Sequence, residues 1–200
     1  MRMTMTMAVM AIAAYTAMAG NDRAALTGNG SNGGMSIVSG NFKLSSATYT
    51  VEAWVRPTTI QNENPIMDQF VGGTSGDWSL VVYAQPNEKG RVALFTRGMT
   101  TDKGTNWLLS DTALTANRWT HVAVVVDGST VKFYLNGTLD TTHTITAGGT
   151  IVPVASGTFR LGTENRNNGK SFQGNLLDCR VWNTARTAEE IAASRFVRLA

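Results

Sequence analysis

The sequence is poor in cysteine, in proline and in charge. Its 200 residues include one cysteine, Cys179, which cannot form an intramolecular disulfide, so the fold must be held by a buried core. There are four prolines against 20 glycines, a balance typical of short strands joined by many turns. Charged residues make up 16% of the chain, and its net charge of +3 is not gathered into a run of lysine or arginine. We therefore expect no nucleic-acid partner.

Long hydrophobic runs are also lacking, including at the N-terminus. Residues 1–19 combine Arg2, a short apolar stretch at 7–15 and an Ala-x-Ala pattern at 17–19, which together predict a secretory signal peptide. The apolar stretch is too short for a membrane-spanning helix, which needs about 20 apolar residues.

A second interpretation of the same segment is an assembly arm. Every second residue of its start is a methionine, a period of two that is typical of a strand with one buried face. Such an arm could pair with a sheet edge of a neighbouring subunit. The residues concerned are Met1, Met3, Met5 and Met7. Both interpretations of this N-terminal extension stay open, and one domain is predicted at residues 20–200.

Beyond the extension the sequence is a succession of short β runs. The segment 121–126 is almost wholly apolar, as expected of a strand covered on both faces. Asn136-Gly137 is the strongest hairpin signal, because a type I′ turn needs a positive φ at both positions. Thr187 and Glu190 form a capping box that predicts one helix. The predicted strands are 24–27, 35–38, 48–56, 78–83, 91–96, 106–110, 121–126, 130–135, 139–145, 151–154, 158–161 and 176–182.

This order of elements predicts the fold class. A parallel sheet needs helices between its strands, and here the one helix follows them all. We therefore expect an all-β, antiparallel, two-sheet jelly-roll sandwich with one short C-terminal helix and an N-terminal extension.

Three segments resemble the LamG-like family of Laminin-G and pentraxin domains, within the concanavalin A-like lectins and glucanases. They are 49–57 (YTVEAWVRP), 117–137, which holds Trp119-Thr-His121 and the following hairpin, and 159–191, which ends in the capping box. The likeness covers about residues 24–195. It implies a jelly-roll sandwich with a recognition function. Within these segments we expect Trp54, Trp119 and Trp182 to be packing anchors, with a role as sugar platforms as the alternative.

The resemblance also implies where a ligand or calcium would bind. Pentraxin-like members hold calcium through acids and amides on loops, and Glu164 and Asn165 match one such loop. Arg166 departs from that pattern, since the family has an acid there, while Asp77 lies near the other ligand-bearing position. The candidate ligand-binding residues are Asp77, Glu164, Asn165, Arg166 and Asn167, of which Asp77, Glu164 and Asn165 are weak calcium candidates. No other cofactor is expected.

Catalysis is not expected. Retaining glycosidases of this fold carry acids alternating along one strand, so that two carboxyl groups lie about 5–5.5 Å apart. Here Glu52 is the only acid in its predicted strand. His121 and His143 have no neighbouring Cys or His, so a zinc site is not predicted, and a structural hydrogen bond is expected for His121.

The favoured function is therefore a non-enzymatic recognition or structural accessory module displayed on an assembled surface, such as a phage capsid decoration or fibre-type subunit. Its partners would be other protein subunits, in a homo-oligomer or capsid, with glycans as further ligands. The alternative is a secreted carbohydrate-binding lectin module, with or without calcium, and a glycoside hydrolase is disfavoured. The corresponding locations are the virion surface or the extracellular space.

Overall fold

The computed structural model describes residues 10–11, 26–29, 44, 46–60, 63–70, 78–97, 107–145, 158–164 and 170–197. These residues form twelve β-strands and one α-helix. The strands are β1 Met10–Ala11, β2 Leu26–Asn29, β3 Thr48–Pro57, β4 Asn64–Phe70, β5 Trp78–Val82, β6 Arg91–Thr96, β7 Trp107–Ala113, β8 Thr120–Asp127, β9 Thr130–Leu135, β10 Thr138–Thr144, β11 Thr158–Leu161 and β12 Gln173–Trp182; the helix is α1, Ala188–Ser194.

The strands form two sheets in which every pair is antiparallel. The larger sheet has the order β1-β12-β3-β8-β9-β10, with β2 also pairing with β12. The smaller sheet has the order β11-β4-β5-β6-β7. Strands distant in sequence, such as β3 and β12, are neighbours in the sheet, as a jelly roll requires. The predicted two-sheet antiparallel sandwich is confirmed.

The main core lies between the sheets. Its centre is Trp78 of β5, whose ring is fully buried and lies 6.2 Å from the ring of Tyr49 and 6.1 Å from that of Phe159. Val51 and Val55 of β3 also point into this core. Burial of the Tyr49 hydroxyl raises its pKa well above the usual range, so it stays neutral.

A second, smaller core lies on the outer face of the larger sheet. Ala123 and Val125 of β8 and Tyr134 of β9 pack there with Ile191 of α1, which is fully buried. This explains why the sequence of β8 is apolar at nearly every position, since both of its faces are covered. The covering element is the C-terminal helix.

The helix begins as predicted. The Thr187 hydroxyl accepts a hydrogen bond from the Glu190 amide at 3.2 Å, and the Glu190 carboxylate accepts one from the Thr187 amide at 2.9 Å. No described helix is long and apolar enough to cross a membrane, and α1 has seven residues.

Two strands differ from the prediction because of proline. β4 was missed, since Pro65 interrupts it and its polar residues hide the alternation. Pro65 is tolerated because β11 pairs only with the later part of β4, Met67 to Phe70, and a bulge follows Pro65 on the side of β5. β3 runs on to Pro57, at an end that β8 no longer pairs with.

Some predicted elements cannot be compared. The predicted strands 35–38 and 151–154 lie outside the described residues. Within the predicted N-terminal extension, β1 pairs with β12, with Met10 opposite Val181 and Ala11 opposite Arg180.

Candidate functional site

An open cavity of about 220 Å³ lies where the end of β7, the β7–β8 loop and the β9–β10 turn meet. We call it the Trp119 pocket. Leu114 and Leu135 supply apolar surface, and the remaining lining residues are Thr112, Ala113, Thr115, Arg118, Trp119, Thr120 and Asn136. The pocket thus combines one aromatic ring, one cation and several polar side chains.

The β7–β8 loop is held to the sandwich by its main chain. The Leu114 amide donates to the Gly90 carbonyl at 2.7 Å, and the Asn117 amide donates to the Pro57 carbonyl at 2.7 Å. Asn117 has φ 63°, a left-handed conformation that asparagine tolerates better than most residues. Inside the loop, the Arg118 amide donates to the Thr115 carbonyl at 3.3 Å. These bonds hold the backbone of the loop that carries Arg118 and Trp119.

The opposite wall is the predicted hairpin turn. Asn136 has φ 52° and Gly137 has φ 82°, so both central residues have the positive φ that a type I′ turn needs. The Asn136 amide donates to the His121 carbonyl at 2.8 Å, and its side-chain Oδ1 accepts from the His121 amide at 3.0 Å. The Nδ2 group of Asn136 takes no part in these bonds, so it remains available to a ligand.

Of the three tryptophans predicted to be packing anchors, Trp119 differs from the prediction. Trp182 is 8% exposed, and the half-buried Trp54 donates from Nε1 to the Arg195 carbonyl at 2.8 Å, so both anchor the structure as predicted. The prediction is wrong for Trp119, which is 40% exposed. Arg118 beside it is also exposed, and no described acid lies within ion-pair distance of it.

A second set of polar residues, which we call the Glu52 cluster, is closed from solvent beneath α1. Glu52 is fully buried, and its Oε1 accepts from Trp182 Nε1 at 2.9 Å and from the Arg186 guanidinium at 3.0 Å. The Arg180 guanidinium lies 3.6 Å from the same oxygen, and His121 Nε2 lies 3.5 Å from Oε2. The His121 ring therefore packs against Glu52, and the hydrogen bond expected of this residue is made by its main-chain amide, to Asn136 Oδ1.

These partners determine the charge of Glu52. Burial raises its pKa, but His121, Arg186 and the Trp182 N–H together stabilise the carboxylate more strongly, so the net pKa of Glu52 lies below its ordinary value. A buried, ionised and fully surrounded carboxylate cannot reach a substrate. Glu52 therefore stabilises the attachment of the C-terminal segment.

The outer face of the smaller sheet carries a third group of polar and aromatic residues. Asp68 is fully buried and lies 3.6 Å from the Arg160 guanidinium. Further along, the Trp107 ring lies 4.8 Å from both the Tyr83 and the Phe95 rings. Asp68 and the two flanking aromatic rings are at most 8% exposed.

The predicted loop site is described only at its base. Glu164 is 4% exposed, and its amide donates to the Lys170 carbonyl at 3.1 Å across the loop. Lys170 in turn pairs with Glu63 at 2.9 Å. The other candidates, Asp77, Asn165, Arg166 and Asn167, lie outside the described residues, as do the arm residues Met1, Met3, Met5 and Met7. These site assignments therefore stay predictions.

Calcium stays a prediction for the same reason. Of its three candidate ligands only Glu164 is described, and a calcium ion needs six to eight oxygens. In the part of the chain that the structure describes, no three His, Cys, Asp or Glu residues lie together so as to hold a metal ion.

Cys179 is a buried free cysteine. It is 7% exposed, lies in the main core, and follows Asp178, which has φ 48° in a bulge of β12. Burial, with a smaller contribution from the Asp178 charge, raises the pKa of the Cys179 thiol to about 12. The thiol is therefore neutral and unreactive near pH 7.

Comparisons with known structures agree with this architecture. The CBM40 of the Ruminococcus gnavus IT-sialidase, bound to α2,3-sialyllactose, superposes with a TM-score of 0.65 at 17% identity, over 84% of this chain and 94% of that chain. The native heptameric SAP-like pentraxin from Limulus polyphemus gives 0.55 at 20% identity, over 75% of this chain and 70% of that one.

A third similar structure is domain 4 of AbnA, a GH43 extracellular arabinanase from Geobacillus stearothermophilus, in complex with arabinotriose. It gives a TM-score of 0.55 at 21% identity and covers 74% of this chain, which spans 66% of that one, just under two thirds of its length. At these identities the likeness concerns the fold alone.

Sequence comparison identifies the family. No curated protein sequence matches the chain. The family model described as the concanavalin A-like lectin/glucanases superfamily, of the Laminin-G type, matches residues 29–192, most of the chain. The resemblance predicted from three sequence segments is thereby confirmed, and the chain belongs to the concanavalin A-like lectin/glucanases superfamily.

Proposed function

We propose that this domain is a non-catalytic carbohydrate-binding module and that sugar binds in the Trp119 pocket. The observation that carries the proposal is the Trp119 ring, 40% exposed beside Arg118 in a cavity of about 220 Å³. A sugar ring has an apolar C–H face that packs on an indole and a rim of hydroxyls that need polar partners. The pocket offers both kinds of surface.

The size of the pocket limits the ligand. Pockets for drug-sized molecules are about 300–1,000 Å³, so a cavity of about 220 Å³ suits one sugar ring at a chain end. The threonine hydroxyls and Asn136 Nδ2 supply hydrogen bonds to its rim. Two of the similar structures are complexes with sialyllactose and arabinotriose, which supports sugar binding on this fold.

The absence of catalysis is supported by the placement of the acids. Glycosidases use two carboxyl groups that flank the scissile bond. Among the described residues, those that line the Trp119 pocket include no acid, and Glu52 is closed beneath α1. Glycoside hydrolysis would therefore find neither a carboxylate nucleophile nor a carboxylic acid proton donor among the residues that line this pocket.

The proposal is tested with a glycan array followed by calorimetry on the full chain. We expect Trp119→Ala to weaken binding of the best sugar at least tenfold, because the stacking surface is lost. Phe196→Ala is the control, since it removes an aromatic ring that is 58% exposed but outside the pocket, and it should leave affinity unchanged. Wild-type affinity in Trp119→Ala, or no sugar binding at all, would overturn the proposal.

A second proposal concerns the setting in which the module works. Display as an accessory subunit on an assembled surface, such as a virion, would use the N-terminal extension, in which β1 pairs with the edge of β12 of its own chain. The same backbone pairing can be made with the sheet edge of another copy. The alternative of a secreted extracellular module treats residues 1–19 as a leader.

Light scattering separates the two settings. If the extension assembles subunits, the full chain forms an oligomer and the chain lacking residues 1–19 is a monomer. Identical masses for the two chains would contradict the assembly role.

A further inference from the structure

If the domain binds sugar as proposed, the charge of the Trp119 pocket indicates which class of sugar binds there. We infer that the pocket selects a sugar that carries a carboxylate, held by Arg118. Arg118 is the one charged residue among the nine that line the pocket, and its guanidinium has no ion-pair partner within the part of the chain described here. A guanidinium presents paired N–H donors that match the two oxygens of a carboxylate.

The hydrogen-bonding groups of the pocket point to the same class. Arg118 and Asn136 Nδ2 are donors only, and the threonine hydroxyls can donate as well. Carboxylate acceptors, which would bind the hydroxyl protons of a neutral sugar, are missing from the lining residues. A surface rich in donors and carrying one cation favours an anion over a neutral hydroxyl group.

The acids nearest in sequence to the pocket are occupied elsewhere. Asp111 pairs with Arg91 at 3.2 Å. Asp140 accepts hydrogen bonds from the backbone amides of Asp111 at 2.6 Å and Thr112 at 3.2 Å. Neither acid lines the pocket, so neither neutralises Arg118 by a direct contact.

The backbone at Arg118 is held in place before a ligand arrives. The Asn117 carbonyl next to it accepts from Arg56 Nε at 3.3 Å, in addition to the two main-chain bonds of Asn117 and Arg118 described above. A backbone that is already ordered loses little conformational entropy on binding, so the charge contact is opposed mainly by the ordering of the Arg118 side chain.

The test compares ligand pairs that differ in the carboxylate. α2,3-Sialyllactose is compared with lactose, and a glucuronate-terminated oligosaccharide with its glucose-terminated counterpart, by calorimetry on the full chain. We expect at least one acidic ligand to bind tenfold or more tightly than its neutral partner, and the arm that responds identifies sialate or uronate as the source. The preference should weaken with added salt, because the contact is exposed.

Variants at Arg118 show whether this residue is responsible. Arg118→Gln should abolish the preference for the acid, and Arg118→Lys should keep part of it, since the charge remains while the paired donors are lost. Lys132→Gln is the control, because it removes another exposed charge that does not line the pocket. Unchanged circular dichroism and melting temperature establish that each variant is folded.

The outcomes separate the two claims. Binding that depends on Trp119 but is equal for acidic and neutral sugars would overturn this inference and leave the proposed function in place. An equal loss in Lys132→Gln would overturn it as well, since the effect would then be one of overall charge. If no sugar of any kind binds, both claims fail.

Discussion

Two regions of the molecule place a tryptophan beside an arginine, and they are used differently. In the Glu52 cluster, the Arg186 guanidinium lies 4.1 Å from the Trp182 ring and also bonds Glu52, the Ser194 hydroxyl at 2.8 Å and the Glu190 carbonyl at 3.0 Å. In the Trp119 pocket, Arg118 is exposed and has no described acid as partner. The residue types are the same, so what differs is whether a carboxylate and a covering helix complete the site.

The largest expected effect comes from removing the carboxylate of the closed region. Glu52→Gln leaves two arginines facing a neutral amide in a buried site, which costs about 3–5 kcal/mol of unfolding free energy. Denaturant titration measures this loss. Asp111→Asn, which breaks an ion pair whose acid is 63% exposed, is the control and should cost at most about 1 kcal/mol. Equal stabilities of the two variants would contradict a structural role for the Glu52 cluster.

Lowering the pH gives a second test of the structural role of the Glu52 cluster. The native pKa of Glu52 lies below its ordinary value of 4.5, so its contribution to stability is complete above about pH 4.5 and is lost as the pH falls through the lower native pKa. The unfolding free energy of the wild type should therefore fall more steeply below pH 4.5 than that of Glu52→Gln. Parallel curves for the two proteins would mean that Glu52 has the same pKa folded and unfolded.

A smaller effect is expected at the turn that contacts both regions. Gly137 has φ 82°, and a Cβ there would lie 2.6 Å from the Arg195 guanidinium and 3.1 Å from the Ala192 Cα. Gly128→Ala, with φ 58° and nothing within 4 Å, carries only the left-handed cost of about 1 kcal/mol. We expect about 2 kcal/mol for Gly137→Ala, measured by thermal unfolding. Equal losses of stability in Gly137→Ala and Gly128→Ala would show that α1 and Arg195 shift to accommodate the added methyl group without cost.

The helix cap is expected to contribute about 1 kcal/mol. Thr187→Ala removes the hydroxyl that accepts from the Glu190 amide, and caps of this kind contribute about that much. Thr142→Ala on exposed β10 is the control. Sugar affinity should not change in either variant, and a change in Thr187→Ala would mean that the helix and the pocket are coupled.

The smallest expected effect is that Cys179 does not react with a thiol reagent while the protein is folded. The neutral, buried Cys179 should not react with a thiol reagent at pH 8 in the folded protein, and one equivalent should react after unfolding, because the chain has one cysteine. Rapid labelling of the native protein would show that β12 opens easily.

Local patterns predicted the parts of the fold that local forces determine. The turn at Asn136-Gly137 depends on backbone conformation at two neighbouring residues, and the cap at Thr187 on bonds over three residues, so both could be predicted from the sequence. Glu52 could not be placed, because the residues that bury it follow more than 120 positions later, at Arg180, Trp182 and Arg186.

The candidate site was harder to predict than the fold. Trp119 directly precedes the apolar strand β8, and the path of the β7–β8 loop leaves its ring exposed. The loop bond from Asn117 to Pro57 joins residues 60 positions apart, which no local pattern reports.

The way the β7–β8 loop is attached has a consequence for specificity. Its anchors at Leu114, Asn117 and Arg118 are main-chain amides, so most side chains that line the pocket can be exchanged without loosening the loop. A library randomised at Thr112, Thr115, Arg118 and Trp119, with Asn117 kept for its left-handed backbone, should therefore yield folded variants with new ligands. The domain can be retargeted much as a framework is by grafting a new paratope.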